Sequence, residues 1–157
     1  MLLLSKIESE AILEKQPFVL NGLVEKHFAF FTEQAEAKNI IIATHFIETI
    51  TLNANPGLTE VLINNLFLNA IRHNNMGGQI SIVINNNAIT FQNTGGEKPL
   101  AIDKLFNRFS KINPSAKGNG LGLAIVKKIT DLNHWGIEYA FANDMHSFTV
   151  IFNLLPE

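Results

Sequence analysis

The strongest constraint in this 157-residue chain is a pair of alternating segments, Gln79–Asn85 and Ala88–Gln92, joined through Asn85-Asn86-Asn87. Apolar residues at every second position give a strand one buried face, and asparagines tolerate the positive φ of a tight hairpin turn. A second pair, Gly136–Ala142 and Ser147–Leu154, predicts another hairpin near the C-terminus. The rest of the chain reads mainly as helix. Asn55-Pro56-Gly57 opens one helix with asparagine as its cap and proline at an early position, and it ends around Asn74–Gly78. Another helix follows the glycines at 118–122 and runs to about Leu132. A third covers about residues 22–38, with Asn21 as its N-cap and Leu23, His27, Phe30, Phe31 and Gln34 sharing one side. Pro17 makes Gln16–Val19 extended, and the β-branched runs Ile40–Phe46 and Ile50–Asn53 read as two strands paired with each other. Hairpins interspersed with three long helices predict an α+β fold, a two-layer sandwich rather than a doubly wound sheet.

The bulk composition excludes several function classes. A 46% hydrophobic and 17% charged chain of this length fits one ordered domain. A net charge of -2 and the absence of any Lys/Arg run give no footprint for nucleic acid. Cysteine is absent, which removes disulfides, thiol catalysis and Cys-ligated zinc. No apolar stretch approaches the roughly 18 residues that would span a bilayer. The opening Met-Leu-Leu-Leu-Ser-Lys lacks the features of a signal peptide. Leu4, Ile7 and Ala11 instead follow the repeat of a helix face, so the chain is expected to be a piece of something longer.

Two patterns carry chemistry. In the apolar helix from Leu58 to Asn74, Asn65, Asn69 and Arg72 recur at i, i+4 and i+7, placing two amides and a guanidinium along one side. Mid-helix asparagines need a reason, because their side chains compete with the helix backbone. They are either satisfied polar groups or oxygen ligands for a hard cation such as Mg²⁺ whose charge is balanced by phosphate. In Lys117-Gly-Asn-Gly-Leu-Gly-Leu123, three glycines at alternate positions run into a helix whose positive dipole end faces the loop. The pattern is neither a Rossmann fingerprint nor a Walker loop.

Together these segments resemble the ordered boxes of sensor histidine kinase catalytic domains. Asn65-Leu-Phe-Leu-Asn69-Ala-Ile-Arg72-His73 resembles the asparagine box, and Asn93-Thr94-Gly95 a variant first glycine box. Leu105-Phe106-Asn107-Arg108-Phe109 resembles the phenylalanine box, and Gly118-Asn119-Gly120-Leu121-Gly122-Leu123 the second glycine box. The resemblance covers about residues 16–154. It implies the Bergerat ATP-binding fold, with a mixed sheet covered on one face by about three helices. Residues 1–15 then resemble the end of the helix joining a dimerisation domain to the catalytic domain at 16–157. By this resemblance Asn69 coordinates Mg²⁺ beside Asn65, Arg72 meets phosphate, and His73 lies near the nucleotide. Asn93 and Gly95 take the adenine side. Gly118, Asn119, Gly120, Leu121, Gly122 and Leu123 form the lid, Phe106 and Phe109 anchor it, and Lys111 stands near the terminal phosphate.

The implied activity is transfer of the ATP γ-phosphate to a histidine on a dimerisation domain, followed by a response regulator in a two-component system. The implied setting is cytoplasmic, compatible with a parent anchored in the bacterial inner membrane. The usual first glycine box begins with aspartate and has a further glycine where this chain has Glu97, so weakened but not abolished nucleotide binding is expected. None of His27, His45, His73, His134 and His146 sits in the opening helical piece beside an acidic residue, so none is a credible phosphoacceptor. The alternatives are a degenerate nucleotide-binding regulatory module and an anti-sigma-factor-type serine kinase, which the opening helix end argues against.

Overall fold

The computed structural model describes residues 14–96, 98–101 and 121–152. Among them the elements run β1 (Gln16–Val19), α1 (Leu20–Glu36), β2 (Ile41–Phe46), β3 (Thr51–Ala54) and α2 (Pro56–Arg72). They continue with β4 (Gln79–Asn85), β5 (Ala88–Thr94), α3 (Leu121–Leu132), β6 (Gly136–Ala142) and β7 (Met145–Ile151). Five strands form one sheet in the order β2-β4-β5-β7-β6, and β1 pairs with β3 in a separate two-stranded ribbon. The β2–β4 pair is parallel and the others are antiparallel, so the sheet is mixed.

Alternation puts one face of this sheet in the core. Ile80, Ile82, Ile84, Ile89, Phe91, Phe148 and Val150 are buried there, while Thr90 and Thr149 meet through their hydroxyls (2.9 Å) on the other face. The helices cover the buried face, with α2 touching α1, α3 and β5. Phe67 of α2 stacks on Phe31 of α1 (4.5 Å between centroids) and meets the edge of Phe91 of β5 (5.0 Å). Burying side chains of this size contributes roughly 1.5–3 kcal/mol each. These three rings fasten α2 to both of its neighbours.

Both predicted hairpins form. Asn86 and Asn87, and likewise Asn143 and Asp144, all have positive φ, as a type I′ turn requires. The second hairpin's return strand starts at Met145, two residues earlier than the sequence suggests. The strand predicted to end at Gln92 runs on through Asn93 and Thr94 as β5.

Three expectations are corrected. The β-branched runs over Ile40–Phe46 and Ile50–Asn53 do not pair with each other: β2 lies beside β4 and β3 beside β1. The stretch between them is held elsewhere, with the Ile47 amide donating to Ile84 O and the Glu48 carboxylate accepting from the Asn87 amide. Branching identifies strands but carries no information about partners. Asn21 is not the cap of α1, which begins at Leu20. Its amide donates to Glu48 O (2.8 Å) and accepts from the Ile50 amide (3.0 Å), tying the first turn of the helix to the start of β3. The fully buried stripe of α1 is Leu20, Val24, Phe31 and Ala35, and Phe30 is 58% exposed.

Candidate nucleotide-binding site

Helix α2 is well determined from its start. Asn55 caps it by accepting from the Leu58 amide (3.0 Å), Pro56 fits the first turn, and the Thr59 hydroxyl donates to Asn55 O (3.0 Å). The helix ends at the His73 cap, whose amide donates to Asn69 O (3.0 Å). Asn65 and Asn69 therefore sit one turn apart on a rigid central element. Asn69 is buried (8% exposed), and Asn65 donates its NH₂ back to Val61 O (2.7 Å). That bond fixes the Asn65 carbonyl oxygen on the side of α3. A Cβ built on Gly122 would lie 2.7 Å from this oxygen, so the start of α3 comes close against Asn65 of the asparagine stripe.

The other end of α2 meets β5. Asn93 is almost fully buried (1% exposed), and its NH₂ donates to Thr94 O (2.9 Å) and His73 O (3.3 Å). Its carbonyl oxygen is buried with no partner among the described residues. Gly95 follows at φ +149°, and a Cβ there would lie 1.9 Å from His73 O. The end of the asparagine-bearing helix and the Asn93-Thr94-Gly95 segment are thus in direct contact. Thr94 reinforces the junction, donating from its hydroxyl to the Asn74 side chain (2.6 Å) and accepting from the Gln79 amide (2.9 Å). Gly78 lies in the same crowded corner.

Arg72 and His73 are exposed at this end. His73 titrates below its ordinary value, first because part of its ring is buried and then because His146, Arg72 and Lys38 disfavour another positive charge. Lys38 also donates to Ile71 O (3.1 Å), placing an ammonium at the negative end of the α2 dipole.

The structure therefore sets Gly122 against Asn65 and sets Asn93 and Gly95 against the His73 end of α2, with Asn69 and Arg72 on the helix between and beside these contacts. Leu121 starts α3, and Leu123 is buried in the core (2% exposed). Lys111, Gly118, Asn119, Gly120, Phe106, Phe109 and Glu97 lie outside the described residues. Sequence reasoning missed His146, which adjoins Gly95, and Tyr139, which adjoins His146. An inward position in an alternating strand is the only signal for His146, and nothing marks Tyr139.

The donor set suits Mg²⁺ in one particular way. Among the described residues no cluster of three or more His, Asp or Glu side chains converges, so the amides of Asn65 and Asn69 would have to act with phosphate oxygens supplying the charge. Neutral amide oxygens beside a triphosphate fit that requirement.

A three-helix layer on a mixed five-stranded sheet, with a glycine-approached asparagine stripe, defines a histidine-kinase-like ATPase domain. The chain belongs to the histidine kinase-, DNA gyrase B-, and HSP90-like ATPase family, whose profile matches residues 54–156, and it is an ATP-binding domain of that family. The heme sensor protein HssS of Staphylococcus aureus (strain Newman) is 32% identical in a match that takes in 96% of this chain and 34% of that protein. The chain thus spans about a third of the length of the curated relatives it matches. The nucleotide-free catalytic domain of histidine kinase ThkA superposes with a TM-score of 0.76 at 24% identity, covering 88% of this chain and 94% of that one. Full-length ShkA in complex with AMPPNP gives a TM-score of 0.70 at 21% identity, covering 94% of this chain and 33% of that one. These two likenesses speak for the fold. Among the described residues no helix is long and apolar enough to cross a membrane.

Proposed function

We propose that this domain is the catalytic part of a sensor histidine kinase, transferring the ATP γ-phosphate to a histidine of a dimerisation domain in a two-component system. The observation that carries the reading is the unpaired carbonyl oxygen of Asn93, buried beside the end of the asparagine-bearing helix. A buried acceptor without a partner costs about 1–3 kcal/mol, and the exocyclic amino group of adenine is a donor of the right kind to relieve it. Asn69, with Asn65, is the residue that holds Mg²⁺, which when bound neutralises charge on the triphosphate. Arg72 meets a phosphate through its guanidinium, and His73 flanks the nucleotide. Lys111 near the terminal phosphate and the lid glycines Gly118, Gly120 and Gly122 stand in this proposal on the family resemblance.

In the reaction an imidazole nitrogen of the acceptor histidine bonds to the γ-phosphorus, the β–γ bridging P–O bond breaks, and ADP leaves. This chain contributes positioning and electrostatics. The acceptor belongs to the dimerisation domain, and the setting is cytoplasmic.

Titration calorimetry with ATP, with and without Mg²⁺, tests the reading. Binding strengthened by Mg²⁺ in the natural chain, and indifferent to Mg²⁺ in Asn69→Ala, is the expected result. No heat at millimolar nucleotide would overturn the proposal, and an unchanged Mg²⁺ dependence in Asn69→Ala would overturn the metal assignment.

A further inference from the structure

Gly95 and Gly96 leave the end of β5 with no side chain to hold it, and both adopt positive φ (+149° and +65°). Main-chain groups must therefore fix the path of this segment. One bond comes from the Gly95 amide to Asp144 O (3.4 Å). The other is made by His146, whose Nε2 lies 2.6 Å from Gly95 O. His146 is the cross-strand partner of Asn93 in the β5–β7 register and is only 2% exposed.

Proton accounting fixes the tautomer. The Leu100 amide can only donate, and it lies 2.9 Å from the Tyr139 hydroxyl oxygen. The Tyr139 hydroxyl, accepting from Leu100, keeps its own proton and lies 2.6 Å from His146 Nδ1. Nε2 faces the Gly95 carbonyl, which can only accept, so Nε2 carries a ring proton and donates to it, and in the neutral ring Nδ1 then accepts from Tyr139. The opposite tautomer would set a nitrogen lone pair against a carbonyl oxygen at the same 2.6 Å. The rings of Phe141 (4.7 Å between centroids) and Tyr139 (5.9 Å) flank the imidazole and hold its orientation.

We propose that His146, held in its Nε2–H tautomer by Tyr139, is a positioning residue that fixes the Gly95 carbonyl and so preorganises the base side of the nucleotide site. The proposal rests on the nucleotide reading above. It assigns no contact between His146 and the nucleotide: the residue acts through the backbone of Gly95, whose ordering would otherwise fall on the binding step.

The test measures displacement of a fluorescent ATP analogue from the full chain by ATP and, separately, by magnesium tripolyphosphate. His146→Ala is expected to weaken competition by ATP about tenfold and Tyr139→Phe about threefold, the range of one lost hydrogen bond. Competition by tripolyphosphate should stay unchanged, because the phosphate end does not depend on Gly95. His146→Gln, which keeps a donor toward Gly95, should recover most of the loss. Nitrogen-15 NMR of the imidazole should report the Nε2–H form in the natural chain and a mixture in Tyr139→Phe. Equal weakening toward ATP and tripolyphosphate, or no weakening toward ATP, overturns the proposal. If His146→Ala does not fold, Tyr139→Phe decides by the same criteria. Failure of the natural chain to bind the analogue overturns the nucleotide reading itself, whereas normal binding with indifferent variants removes only the role of His146.

Discussion

The two ends of α2 are built from the same residue type under the same burial, and they treat it in opposite ways. At the N-terminal end Asn55, 6% exposed, has its side-chain oxygen satisfied by the Leu58 amide and its main-chain oxygen by both the amide and the hydroxyl of Thr59. Nearby, Asn21 uses both its donor and its acceptor on residues 48 and 50. At the C-terminal end Asn93 spends its NH₂ on two carbonyls and keeps a buried oxygen unpaired. Where an end of the helix serves only the fold, the fold supplies every partner. At the other end one buried acceptor is left without a partner among the described residues, the one that the proposed contact with adenine would use.

The largest effect that would break this comparison is at Gly95. Its absent Cβ would collide with the His73 main chain at positive φ, so Gly95→Ala is expected to cost on the order of 3 kcal/mol. Gly22, in the first half of α1, has nothing within 4 Å of its built Cβ, and Gly22→Ala should stabilise by about 0.5–1 kcal/mol. Urea unfolding of both variants reads the contrast. An innocuous alanine at 95 would mean that the site end is not locked to the helix.

Asn55→Ala comes next, losing about 1 kcal/mol as a cap is removed. Its ATP affinity, measured calorimetrically, should match the natural chain, because this end makes no contact with the site. A loss of affinity as large as the loss of stability would erase the distinction between the ends.

The smallest effect is the pH dependence due to His73. Its folded pKa is depressed, first by burial of the ring and then by His146, Arg72 and Lys38. The unfolded chain therefore takes up a proton more readily, so stability is full above the ordinary value of 6.5 and is lost as pH falls through it toward the depressed folded value. His73→Gln should flatten this part of the profile, while Asn55→Ala should leave it unchanged. Urea midpoints measured on either side of pH 6.5 test both statements.

What could be read from the sequence was what is encoded locally. Alternation marked both hairpins, paired asparagines marked the turn of the first, and Asn55-Pro56 marked the start of α2, because turns and caps are decided within a few residues. Strand partners were not legible: β2 pairs with β4 across an intervening ribbon and helix, and nothing in Ile41–Phe46 specifies a parallel neighbour. The site showed the same division. The spacing of Asn65, Asn69 and Arg72 marks a helical face, and glycines mark close approaches. Tyr139 and His146 have no such spacing relative to Gly95, and only the assembled sheet brings them to its carbonyl.

The position of that carbonyl has a kinetic meaning. Strands β4–β5 and β6–β7 are hairpins with two-residue turns, each able to close on its own in about 1–10 μs. Asn93 belongs to the first and His146 to the second, and they meet only along the β5–β7 seam. A folding intermediate holding both hairpins would already contain most of the sheet yet would not have assembled the proposed base side of the site. Slow hydrogen exchange of the seam amides, compared with those inside each hairpin, would mark the moment when the domain becomes able to recognise a nucleotide.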